Sequence, residues 1–192
     1  MSPRTEKQFE LIREERRQKI MDSALDLFAK NGYDNTSISQ IASKADISKG
    51  LLYNYFKSKE DLLEAILNTG IDELMDVFDP NKDGVLEVSE MKFFLEEMFK
   101  ILKKHRVFWR LYFSVTTQPS VFKLVEKRIE EIYKPLTKMT VDYFTRQGHE
   151  NPTAEAILFG ALLDGISFDY VLKPDIFPIE MVKKELINRY CC

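Results

Sequence analysis

Oxygen-bearing side chains cluster between residues 79 and 90: Asp79, Asn81, Asp83, Glu87 and Glu90. A hard cation such as calcium is held by about six to eight oxygens drawn from carboxylates, amide carbonyls and the backbone. Gly84 permits a sharp turn in the middle of this run, and Val85 can offer its backbone carbonyl as a further oxygen. Elsewhere the chemistry-bearing residues are scattered. His105 and His149 have no serine or cysteine partner at a telling distance in sequence, and His105 lies in the basic run Lys103, Lys104, Arg106, which reads as a solvated face. Cys191 and Cys192 are adjacent, which suits neither a metal site nor a disulfide framework. Asp164 and Asp169 lie in an otherwise apolar stretch, either as paired carboxylates or facing solvent or a dimer seam. None of this is a catalytic constellation, and the expectation is that the chain is not an enzyme.

The run Asp79–Glu90 matches the EF-hand calcium pattern in full. Asp79, Asn81 and Asp83 take loop positions 1, 3 and 5, Gly84 position 6, and Val85 position 7; Glu87 and Glu90 take positions 9 and 12. Leu86 falls where EF-hand proteins carry an aliphatic residue. Ile71, Leu74, Met75 and Phe78 share one helical face before the loop, as do Met91, Phe94, Leu95 and Met98 after it. The competing reading is an inert turn, because Asp, Asn and Gly also cluster in ordinary loops. A lone loop binds weakly, in the ~10⁻⁴ to 10⁻³ M range. Calcium would set the angle between the helices on either side.

The elements that must position these residues are helices. Apolar residues recur three and four apart from Phe9 to Lys30, ending at Asn31-Gly32, a helix stop. Two short helices follow, Ser37–Ala45 and Ser48–Tyr55, then a longer one from Lys59 to Val77. Further helices are predicted over Met91–His105, Phe108–Thr117, Val121–Gln147, Thr153–Leu172 and Ile179–Tyr190, with Pro135 kinking or breaking the third of these. The fold class is all-α with about nine helices: residues 1–57 as a helix-turn-helix head and 58–192 as a helical ligand-binding and dimerisation body.

Local signals in the head agree with one another. Ser37 and Gln40 form a capping box, and Ser48 and Ser58 cap the next two helices. Ile41, Ala42 and Ile47 lock two short helices across the turn Asp46–Ser48. Such a pair is the helix-turn-helix, and its second helix enters the major groove. Lys49, Asn54, Tyr53 and Tyr55 would face outward from it, and Gly50 would let the backbone approach DNA. A rival placement packs Tyr53 or Tyr55 on the first helix. The run TSISQIASKADISKGLLYNYFKSKEDLL, Thr36–Leu63, with Ala24-Leu-Asp-Leu-Phe28 and Gly32-Tyr33 before it, resembles the headpiece of TetR-family transcriptional regulators. The resemblance spans about Arg17 to Leu67. It implies a homodimer on a palindromic operator, usually a repressor released by a ligand. By the same resemblance, Ser39, Lys49, Gly50, Leu51 and Asn54 meet base edges, while Ser37, Tyr53, Tyr55 and Lys59 hold phosphates.

Composition and charge fit that division. Hydrophobic residues are 44% and charged residues 31%, which is globular composition. Net charge is −3, yet residues 1–60 carry 11 Lys and Arg against 9 Asp and Glu, leaving the excess of acid to the body. No apolar run approaches the ~20 residues of a membrane span, and the charged N-terminus, with Arg4, Glu6, Lys7 and Glu10, does not read as a secretory signal. The cysteine usage reads as a reducing cytoplasm. Aromatic residues are 12% of the chain. Phe108, Trp109, Tyr112, Phe113 and Tyr143 either line a pocket for an apolar or amphipathic small molecule or are plain core. By resemblance, Thr153–Leu172 and Ile179–Tyr190 form the dimer's four-helix bundle. The alternative function is a calcium-sensing or interaction module whose head no longer binds DNA.

Overall fold

The computed structural model describes residues 6–191, apart from the side chain of Arg128. The sequence readings that touch Arg4 and Cys192 lie outside these residues. Nine α-helices are present among the described residues: α1 Glu6–Asn31, α2 Ile38–Lys44, α3 Lys49–Tyr53, α4 Lys59–Phe78, α5 Val88–Lys104, α6 Arg106–Thr116, α7 Pro119–Arg146, α8 Pro152–Leu172 and α9 Ile179–Tyr190. An N-terminal cluster, α1 to α3, sits on a larger helical body, with α4 shared between them.

The head is built by its caps and a small core. Gly32, at φ 84°, ends α1 in the left-handed region while its N–H bonds Phe28 O. The capping box forms as expected: Gln40 N–H donates to Ser37 Oγ at 3.3 Å and Ser37 N–H donates to Gln40 Oε1 at 2.7 Å. Ser48 Oγ accepts from Leu51 N–H, and Ser58 Oγ from Asp61 N–H, each at 3.1 Å. Asp61 answers by accepting Lys57 N–H at 2.8 Å. Ile20, Ala24, Phe28, Ile41, Ala42, Leu52 and Phe56 are buried together beneath these caps. α3 ends at Tyr53 rather than Tyr55. Asn54 N–H turns to Leu51 O and Tyr55 N–H to Leu52 O, three-residue bonds that tighten the last turn out of α-geometry.

The body begins with α4, which buries Leu62, Leu63, Ile66, Leu67, Ile71 and Phe78 along one face. It packs on α1, α5, α6 and α7, while α1 packs also on α6. Head and body are therefore joined twice, through α4 and through the α1–α6 contact. Gly70 on α4 faces the Phe108 ring on α6 so closely that a Cβ would lie 2.3 Å from it. α7 runs without a break through Pro135, contrary to the break the proline allowed for. One backbone N–H is missing there, but contacts with α6 and α8 hold the helix on either side.

α8 is apolar nearly all round. It packs on α7 and α6, yet leaves Ile157, Leu158, Leu162, Phe168 and Leu172 exposed. Met181 on α9 and Ile176 between the two helices are also exposed. Among the described residues, no helix is long and apolar enough to cross a membrane.

Candidate functional site

Three places in the molecule gather the chemistry read from the sequence. The first is the outer face of α2 and α3. Ser37, Ser39, Lys49, Tyr53 and Lys59 line one open groove, together with Asp34, Asn35, Lys57 and Glu60. Ser37, Ser39, Lys49 and Gly50 are exposed, as is Asn54. Tyr53 is 45% exposed, so it points away from the core rather than onto α1, and Tyr55 is half-buried. Gly50 has open space around the position of a Cβ, so nothing inside the protein requires glycine there. The groove combines lysines with the amide-rich starts of α2 and α4, the environment that phosphate oxygens favour. The exposed Lys57 also belongs to this groove.

Lys59 also has an internal task. Its ammonium donates to Tyr33 O at 2.9 Å and Thr36 O at 3.1 Å, and sits 4.2 Å from the centre of the Tyr33 ring. These bonds tie the start of α4 to the α1–α2 loop. They fix the height of the groove's floor, whatever the third ammonium hydrogen meets.

The second place is the loop between α4 and α5. Gly84 takes φ 74° and Lys82 φ 58°, so the chain turns sharply where the calcium pattern requires it. Asp79 Oδ2 accepts Gly84 N–H at 3.2 Å, Asn81 Oδ1 accepts Asp83 N–H at 3.0 Å, and Asp83 Oδ1 accepts Val85 N–H at 2.8 Å. Glu90 folds back: its Oε2 accepts Glu87 N–H at 2.9 Å and its Oε1 accepts the Asn81 amide at 2.9 Å. That back-bond starts α5 at Val88, one turn ahead of the predicted Met91. Asp79 Oδ1 is buried and lacks a hydrogen-bond partner. Among the described residues, no three His, Cys, Asp or Glu side chains converge closely enough to hold an ion as they stand. The loop is anchored to the body as well: Leu86 is fully buried, and its carbonyl accepts the Arg146 guanidinium from the end of α7 at 2.7 Å.

The third place is a cavity of about 150 Å³ enclosed by α4, α5, α6, α7 and α8. Trp109, Tyr112 and Phe113 line it, with Phe78, Phe94 and Tyr133. Phe108 and Tyr143 lie outside its wall. Phe108 packs edge-on against Trp109 at 5.1 Å, and the Tyr143 hydroxyl donates to Tyr190 O at 2.5 Å, fastening α7 to α9. Burial pushes the Tyr143 phenol up to about 12. The polar groups of the wall are few. The Tyr112 and Tyr133 hydroxyls meet at 3.1 Å, and the buried Trp109 Nε1–H has no partner. Thr137, Thr140, Ser167 and Asp164 complete the set. Tyr133, another aromatic residue that could line a pocket by sequence, does so, whereas Asp164 escaped that reading. They lie 31 residues apart on separate helices, and only the packing of α7 on α8 brings them to one wall.

His105 keeps about a third of its side chain exposed, while its ring turns toward α4. Its Nε2 lies 3.0 Å from Glu73 Oε2 on α4, and Lys104 reaches the same carboxylate at 3.3 Å. These contacts fasten the α5–α6 corner to the linking helix.

Against known proteins, residues 20–66 match the family described as bacterial regulatory proteins, tetR family. The match lies in the head, from α1 into α4. The YuxN HTH-type transcriptional regulator of Bacillus subtilis is 50% identical over 54 residues, covering 28% of this chain and 19% of that protein. The chain thus matches less than a fifth of that relative's length. IcaR of Staphylococcus aureus, a negative transcriptional regulator of the biofilm operon icaADBC, is 27% identical over 129 residues, 66% of this chain and 68% of its own. Among solved structures, FadR from Bacillus subtilis in complex with stearoyl-CoA superposes with a TM-score of 0.70 at 17% identity, over 89% of this chain and 95% of that one. At that identity the likeness speaks for the fold. The shared fold comprises the helical head, α4 and the body that carries the cavity.

Proposed function

We propose that this TetR-family chain is a homodimeric repressor that binds a palindromic operator and is released by a small molecule in the α4–α8 cavity. The observation that carries the reading is the head: a capped, five-residue α3 whose Lys49, Gly50 and Asn54 are exposed beside a lysine-bearing groove. An insertion of this kind places α3 in the major groove and leaves the flanking groove for phosphates. The dimer reading is supported by Ile157, Leu158, Leu162, Phe168 and Leu172 on α8, exposed apolar side chains that a second subunit would cover. IcaR, a negative regulator by description, supports repression. Trp109 and Tyr112, the cavity's polar-tipped aromatics, support an effector that is mostly apolar. Footprinting on DNA flanking its own gene tests the head. Protection that disappears in Lys49→Ala, with the melting temperature unchanged, supports the proposal. No protection at low salt would leave the alternative, a module whose head has lost its DNA.

A second reading concerns the loop at 79–90: calcium binds there through Asp79, Asn81, Asp83, the Val85 carbonyl, Glu87 and Glu90. What favours it is the buried Asp79 Oδ1 without a partner, in a loop whose hydrogen bonds already follow the pattern. A buried carboxylate oxygen left unpaired is costly, and a cation would satisfy it. Binding would draw Glu90 off the Asn81 amide and change how α4 meets α5. Calorimetric titration with calcium should show heat that is lost in Glu90→Gln. Equal heats for the two proteins, or none for either, rule the site out.

A further inference from the structure

The cavity wall has one ionisable group whose ordinary state at neutral pH is charged, and it is an acid. Asp164 lies on α8 among Tyr112, Tyr133, Thr137 and Ser167, and among the described residues no lysine, arginine or histidine lines the space. Asp164, Tyr133 and Thr137 are the exposed members of the wall, so the opening lies between α7 and α8 and Asp164 stands at it. Inside, Trp109 and Tyr112 meet edge to face at 5.5 Å, and Tyr112 meets Phe113 likewise at 5.4 Å. Ring faces carry negative potential and attract cations, most strongly where water is excluded.

We propose that the effector is a compact hydrophobic cation, its charge held by Asp164 and the rings of Tyr112, Tyr133 and Trp109, its apolar part in the cavity beyond. The proposal rests on the reading of this cavity as the effector site and names the chemistry of what enters. An organic anion would set a second negative charge against Asp164 with no counter-cation in the wall, and would be repelled. A neutral ligand would be tolerated but would leave the carboxylate facing it unpaired. Desolvation against the wall already holds the Asp164 carboxyl above the usual carboxylate range. A cation relieves that penalty. The volume, about 150 Å³, takes a body the size of one benzene ring, which sets the scale of the probe.

Trp109 is the chain's one tryptophan and stands in the wall, so its emission reports occupancy directly. Three probes separate charge from shape: phenyltrimethylammonium, its uncharged isostere tert-butylbenzene, and benzoate. The cation should bind about tenfold or more tightly than the isostere, with benzoate weakest. Asp164→Asn should erase the difference without changing tert-butylbenzene binding, and Asp164→Glu should retain the preference. If the isostere or benzoate binds as tightly as the cation, or if Asp164→Asn keeps the preference, the cation proposal falls while the cavity remains an effector site. If no probe alters Trp109 emission, the effector reading of the cavity falls with it.

Discussion

At the residue scale, the head separates residues that build it from residues it presents. Gly50 and Lys59 show the difference. Gly50 has nothing within reach of a Cβ. Gly50→Ala should therefore leave the fold as stable or up to about 1 kcal/mol more stable, since alanine favours helix. It should weaken DNA binding nonetheless, because the added methyl stands between the backbone and the groove. Denaturant melts and gel shifts of the same variant would show the two effects with opposite sign. Lys59 behaves otherwise. Its bonds to Tyr33 O and Thr36 O and its place over the Tyr33 ring mean that Lys59→Ala loosens the α1–α2 loop. A loss of about 1–3 kcal/mol in chemical denaturation is expected. Weaker DNA binding in that variant would then report a moved groove as much as a missing phosphate contact, so Lys49 is the cleaner probe.

At the scale of elements, the junctions of α4 decide how the body addresses the head. The closest is the Gly70–Phe108 approach between α4 and α6. Gly70→Ala forces the Phe108 ring, itself packed on Trp109, to shift. Overpacking of this kind should lower stability by about 1–3 kcal/mol, and Phe108→Leu in the same chain should restore most of it. Because Trp109 lines the cavity, the first variant should also alter its emission. Within the body, the junction of α5 and α9 is ionic. Glu180 on α9 pairs with Lys103 on α5 and with Lys183, and these two ammonium groups hold its carboxyl down to about 2. A depressed carboxyl contributes stability above its unfolded value, near 4.5, and that contribution is lost as pH falls through about 2. Wild type should thus lose stability relative to Glu180→Gln across that window. The group is fully exposed, so the difference should shrink in high salt.

For the whole molecule, the exposed apolar residues of α8 are where the proposed dimer is tested. Leu158 is 61% exposed and makes little core within the chain. Leu158→Asp should leave each subunit folded but shift sedimentation toward the monomer. Operator affinity should drop with it, since two half-sites would no longer be bound by one particle. If the variant sediments as wild type does, the dimer uses another face.

How much of this was legible beforehand follows from the range of the interactions. Caps, turns and helical periodicity act within four or so residues. That is why Ser37, Ser48 and Ser58, the left-handed Gly32 and Gly84, and the order of nine helices could be read along the chain. The head was legible for the same reason: its groove is made by residues close in sequence, Asp34 to Glu60. The turn at Gly84 and the oxygens around it are likewise local. The cavity is not. Its wall draws on five helices, and the aromatic run Phe108–Phe113 gives no sign of which rings face inward. Tertiary packing alone turned Trp109 inward, set Tyr143 on Tyr190 instead, and brought Asp164 to the mouth beside Tyr133. It also carried α7 through Pro135, because contacts with two neighbouring helices outweigh one missing hydrogen bond. What the chain encodes locally is which helices form and which face of the head is presented; what it encodes only through long-range packing is the shape and charge of the space inside, because burial depends on neighbours that the order of residues does not name.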